Sequence, residues 1–161
     1  MHVDNESLGA KIRRAFANVP LPPRVADMLL PRYTGDDSYE MATALFGKPW
    51  SEVPTDVLFF HRESLRTLSA IAYRAYLPAY LQACLAYDDP TVKYGADIQD
   101  YLLASLKHWP HQSEHRASET IERLSLLDEE QRAVVPDVLH YLATQWHSER
   151  ATDVLREWQT A

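Results

Sequence analysis

The stretch Leu127-Asp128-Glu129-Glu130-Gln131-Arg132-Ala133-Val134-Val135-Pro136-Asp137-Val138-Leu139-His140-Tyr141-Leu142-Ala143-Thr144-Gln145-Trp146 decides the fold class. Asp128 and Gln131 stand at capping-box spacing. The carboxylate of the first accepts the amide of residue 131, and the amide side chain of the second reaches back to residue 128. Val134, Val135, Val138, Leu139, Leu142 and Trp146 then recur every three or four residues, the period of an α-helix with one apolar face.

The same grammar repeats outward in both directions. Ser148 is placed to cap a final helix bearing Ala151, Val154, Leu155 and Trp158. Toward the N-terminus, Ile98, Leu102, Leu103 and Leu106 mark another helix. Ser69 caps one running through Ile71, Ala72 and Tyr76, where Pro78 either kinks the helix or opens a new one. Thr55 is placed to cap a helix with Val57, Leu58, His61, Leu65 and Leu68 along one side. Asp37 and Glu40 have capping-box spacing for a helix carrying Tyr39, Ala42, Leu45 and Phe46, which Gly47 ends. Leu8, Ile12, Ala15, Phe16 and Val19 form one more stripe, with Asn5 as its cap, before Pro20, Pro22 and Pro23 stop it. No segment alternates like a strand. The expectation is an all-α fold: one domain over residues 1–161, about seven helices packed as helical hairpins. Trp50, Leu65, Leu77, Leu81, Leu126, Val135, Leu139, Leu142, Leu155 and Trp158 are its expected core.

At 161 residues the chain matches the usual size of one domain, and the lone Cys84 has no partner for an internal disulfide. The opening residues lack the apolar run of a signal peptide, and nowhere do about 18 apolar residues follow one another. A cytoplasmic protein without a membrane span is expected. The net charge of −7 opposes nucleic-acid binding, which needs a basic surface. Charge is also uneven: residues 11–33 hold five bases and one acid, residues 34–60 five acids and one base. Such a distribution can steer a basic protein partner, although acids equally serve solubility. The candidate contacts are Asp36, Asp37, Glu40, Asp88, Asp89, Asp97, Asp100, Glu129 and Glu130, several of which helix caps and turns also explain.

Chemistry is sparse. His111, His115 and Glu119 would share one face of a helix and could ligate zinc, but Pro110 interrupts the segment and no His-Glu-x-x-His pattern is present. A solvated inter-helix loop is the plainer reading. No Gly-x-Ser-x-Gly turn, reactive cysteine setting or phosphate-cradling loop occurs, so no catalytic residue and no cofactor are expected. His61, His140 and His147 read as core or boundary histidines. Tyr73, Tyr76 and Tyr80 line one helical stripe, either as core or as the interface of a homodimer or larger homo-oligomer.

Lys48-Pro49-Trp50-Ser51-Glu52-Val53, Leu65 to Ser69, Tyr76-Leu77-Pro78-Ala79-Tyr80-Leu81, Arg123 to Arg132 and the closing stretch from Ala151 to Trp158 form an ordered set. Together they resemble an uncharacterised family of small acidic helical proteins of the bacterial cytoplasm, over roughly residues 10–159. Pro136 departs from that pattern. The resemblance carries over no catalytic residue. Proteins of this character are similar to immunity proteins, so it implies a non-enzymatic binder of a cognate toxin or effector.

Overall fold

The computed structural model describes residues 5–33, 35–86, 95–107 and 114–160. Helix α4 (Ala70–Leu85) is the post around which the rest is arranged, because its sequence is apolar on every side. Thirteen of its sixteen residues are buried, and of the other three only Ile71 is exposed. Ser69 caps it as expected: its hydroxyl accepts the Ala72 amide at 3.2 Å and donates to the Asp27 carbonyl at 2.5 Å. The helix runs through Pro78 without ending.

Around this post stand α1 (Asn5–Ala15), α5 (Gly95–Leu106), α6 (Glu114–Ser125) and α7 (Glu129–Gln145), each packed on it, while α8 (Glu149–Thr160) folds back against α7 and α5. On the remaining side lie α2 (Asp36–Leu45), α3 (Thr55–Phe60) and three short 3-10 segments, Val25–Met28, Trp50–Glu52 and Arg62–Thr67. The described residues therefore hold eight α-helices and no named strand; a lone antiparallel bridge joins Leu29 to Leu68. One apolar cluster draws on every α-helix.

The Asp128–Gln131 capping box forms, with 2.8 Å and 3.1 Å bonds. Gln131 goes further. Its Nε2 donates to the Ala15 carbonyl at the end of α1, and its Oε1 accepts from Arg74 Nε on α4 at 3.0 Å. Lys11–Asp137 and Arg14–Glu130 ion pairs join α1 and α7 as well. Gly47 closes α2 with φ +78°, and Ser148 caps α8 by accepting the Ala151 amide. Trp158 donates to the Leu106 carbonyl across α5 and α8.

Several expectations are corrected. Asp37 is not an N-cap: Gly35 occupies that position with extended backbone, and no side chain caps α2. Thr55 is likewise the first residue of α3, with Pro54 at the cap. The helix read from Val57 to Leu68 breaks at His61. Beyond it Leu65 and Leu68 are both buried at a spacing of three, which suits the three-residue turn of a 3-10 helix. Leu126 is exposed rather than core: Leu124 in the last turn of α6 and Leu127 just beyond it are buried, and residue 126 between them points away. Trp50, Leu155 and Trp158 are only partly buried. His140 and His147 are exposed, the latter at φ 51° in the turn between α7 and α8. Tyr73, Tyr76 and Tyr80 are fully buried, so the stripe offers no interface for a second copy. The proposed Asn5 cap falls where the described residues begin.

Candidate protein-binding site

In α2, Ser38, Met41, Ala42 and Leu45 face the core. Helical geometry then turns Asp36, Asp37, Tyr39, Glu40 and Thr43 outward, and all five are exposed. Asp36 and Asp37 occupy the first turn, where carboxylates interact favourably with the positive end of the helix dipole. None of Asp36, Asp37 and Glu40 forms an ion pair among the described residues. Tyr39, read from the sequence as part of the apolar stripe, is instead 60% exposed between them.

Packing of α2 on the 62–67 segment adds a second aromatic edge. Phe60, 71% exposed, stands edge-on to the His61 ring with centroids 4.8 Å apart and planes at 84°. The His61 imidazole lies below its usual pKa because burial disfavours the charged form, a shift that the negative charges of Glu40 and Asp37 oppose. Next to it, the Arg62 guanidinium stacks over the Phe59 ring at 4.1 Å. A groove of about 460 Å³ runs beside Leu29, Leu30, Pro31, Tyr33, Asp36 and Tyr39. Three carboxylates thus share a face with the exposed Tyr39 ring and border an apolar groove, while the exposed Phe60 ring stands against His61, which feels the charge of Glu40 and Asp37.

The other acids behave differently. Asp100 pairs with Arg150 at 3.2 Å and ties α5 to α8, while Glu130 pairs with Arg14 at 2.9 Å. Glu129 is exposed in the first turn of α7. Asp88, Asp89 and the Asp97 side chain lie outside the described residues. The structure brings Asp36, Asp37 and Glu40 together on one face and engages Asp100 and Glu130 in surface ion pairs between helices.

Of the candidate metal ligands, His111 and the His115 side chain also lie outside the described residues. Glu119 is buried, and Arg32 grips its two carboxylate oxygens at 2.6 Å and 2.7 Å. Among the described residues no three His, Cys, Asp or Glu side chains are grouped to hold a metal ion. Cys84 is buried, and burial pushes its thiol far above the usual range, away from the thiolate form. No described helix is long and apolar enough to cross a membrane.

A family profile matches residues 4–160, nearly the whole chain. The chain belongs to DUF6714, a family of unknown function. That agrees with the uncharacterised family suggested by the ordered motifs. No curated protein matches the chain, and no solved structure does.

Proposed function

We propose that this DUF6714 chain is a non-enzymatic binding protein whose α2 face docks on a basic surface of a partner protein, in the manner of an immunity protein that neutralises a toxin. The observation that carries the reading is the joint exposure of Asp36, Asp37 and Glu40 with Tyr39 and Phe60. Carboxylates accelerate encounter with a cationic partner, and exposed aromatic rings supply the desolvated anchors that hold it. Nucleic acid is a poor occupant of such a face, because its phosphates would meet like charge. A cytoplasmic partner suits the reading.

Co-expression with the product of the neighbouring gene, followed by pull-down and a protection assay in cells, tests the proposal. A stable complex is expected, with growth rescued when that product is toxic. Tyr39→Ala and Phe60→Ala should each weaken it by about tenfold or more, mainly through a faster off-rate. Asp37→Asn with Glu40→Gln should slow the on-rate instead. Raising salt from 0.1 M to 1 M, which shortens the Debye length from about 10 Å to about 3 Å, should have the same effect. Absence of both binding and protection overturns the reading. So does a complex indifferent to all four substitutions in folded protein.

A further inference from the structure

Away from the α2 face, a polar cavity of about 160 Å³ lies between the 62–67 segment, α5 and α6. Its wall includes Tyr33, Glu63, Arg66, Thr67, Glu119 and Arg123. Arg123 is only 4% exposed, yet none of its contacts is a carboxylate. Its Nη1 donates to the Arg66 carbonyl at 2.8 Å and its Nη2 to the Thr120 hydroxyl at 3.2 Å. Nε meets no acceptor among the described residues, and the guanidinium carbon sits 5.5 Å from the Tyr73 ring centroid.

A buried cation served only by neutral oxygens is expensive, and burial accordingly pulls this guanidinium below its usual pKa. The nearest candidate counter-charge, Glu119, is already gripped by Arg32 through both oxygens. Arg32, Arg66 and Arg123 stand together against Glu63 and Glu119, and Glu63 Oε1 accepts from the Tyr101 hydroxyl at 3.2 Å. With Arg32 counted beside the wall, these three cations and two carboxylates leave one positive charge in excess, inside a chain whose net charge is −7. That excess matches a monoanion. A phosphate dianion would leave negative charge uncompensated beside two glutamates. In size the cavity resembles an apolar one of about 150 Å³ that admits benzene.

We propose that this cavity binds a small monocarboxylate of at most about benzene size, its carboxylate held by Arg66 and Arg123. The Tyr33 hydroxyl, which accepts from Arg32 Nη2 at 2.8 Å, can donate its proton to the remainder of the ligand. The proposal does not rest on the partner-binding reading: Tyr33 lines both this cavity and the groove beside α2, but neither Arg66 nor Arg123 belongs to the α2 face.

Lactate, pyruvate and benzoate are the probes, titrated against the full chain by thermal shift and by amide resonance perturbation. Lactamide and benzamide serve as neutral controls, and inorganic phosphate as the competing anion. At least one carboxylate should raise the melting temperature saturably while its amide does not. Arg66 is exposed, so Arg66→Gln should keep the fold and raise the Kd of that carboxylate by about tenfold or more. Arg123→Lys, checked for retained helicity, should weaken it as well, because an ammonium cannot present the guanidinium fork. The proposal is overturned if no carboxylate binds more tightly than its amide, if Arg66→Gln leaves the affinity unchanged, or if phosphate binds in preference.

Discussion

Replacing Gln131 by alanine should unlock three helices at once. The side chain is 2% exposed and makes three hydrogen bonds: from Arg74 Nε at 3.0 Å, from the Asp128 amide at 3.1 Å and to the Ala15 carbonyl at 3.1 Å. A bond with a charged donor contributes about 1.5–3 kcal/mol, and a neutral one about 0.5–1.5 kcal/mol. Their joint loss comes to about 3–5 kcal/mol, with the Ala15 carbonyl left buried and unpaired. For a chain of this length each kcal/mol moves the melting temperature by about 2–4 °C, so Gln131→Ala should melt about 6–20 °C lower. Circular dichroism at a helical wavelength, with urea titration in parallel, reads the change. Gln131→Glu separates the contributions. It keeps the acceptor for Arg74 and the Asp128 amide but sets a carboxylate against the Ala15 carbonyl, so it should fall between the parent and alanine. An alanine variant that melts within about 2 °C of the parent would refute the claim that this residue clamps α1, α4 and α7.

Other perturbations follow the same logic. Tyr76→Phe removes a 2.6 Å bond to the Leu45 carbonyl and should cost about 1 kcal/mol in a urea titration, whereas the Tyr80 hydroxyl has no partner among the described residues and Tyr80→Phe should be neutral or stabilising. Ser69→Ala loses both the cap of α4 and the bond to Asp27, and should lower stability by about 1–2 kcal/mol in the same assay. His61 has a folded pKa below its ordinary value of about 6.5, so below that pH the unfolded chain takes up the proton first. Its neutral form is at no disadvantage above about pH 6.5, and stability should drain away as pH falls from there through the folded pKa. Melting curves between pH 7 and pH 5 should therefore be flatter for His61→Gln than for the parent.

Where an outcome depends on three or four neighbouring residues, it could be read in advance. The Asp128–Gln131 box, the serine caps at 69 and 148 and the turn at Gly47 are of this kind, and each forms. The Asp37–Glu40 spacing looked equivalent, but the first turn of α2 is set by the inward packing of Ser38, Met41 and Leu45, which admits Gly35 as the cap. Tyr39 stands at helical spacing from Ala42 and Phe46, and Phe60 closes the apolar run Val57-Leu58-Phe59-Phe60, so no pattern distinguished their outward direction. The site and the cavity are harder still to read. His61 comes under the charge of Glu40 and Asp37 through packing of the 62–67 segment on α2, and Arg32 meets Glu119 across 87 residues of chain. A periodicity argument that works one helix at a time has no access to such meetings.

The junction of α1 with α7 bears on how the molecule is made as well as how it holds together. Ala15 and Gln131 are 116 residues apart, and Arg14 and Glu130 are separated by the same interval. At a ribosomal pace of about 5–20 residues per second, roughly 6–23 s pass between the appearance of one partner and the other. Throughout that interval the buried side of α1, with Leu8, Ile12 and Phe16, has no α7 to cover it. The nascent chain must shelter those side chains on α4 or on a chaperone until its C-terminal third emerges. Silent codon changes that slow translation between residues 86 and 128 would lengthen this exposure and lower the soluble yield, although the finished protein would be identical.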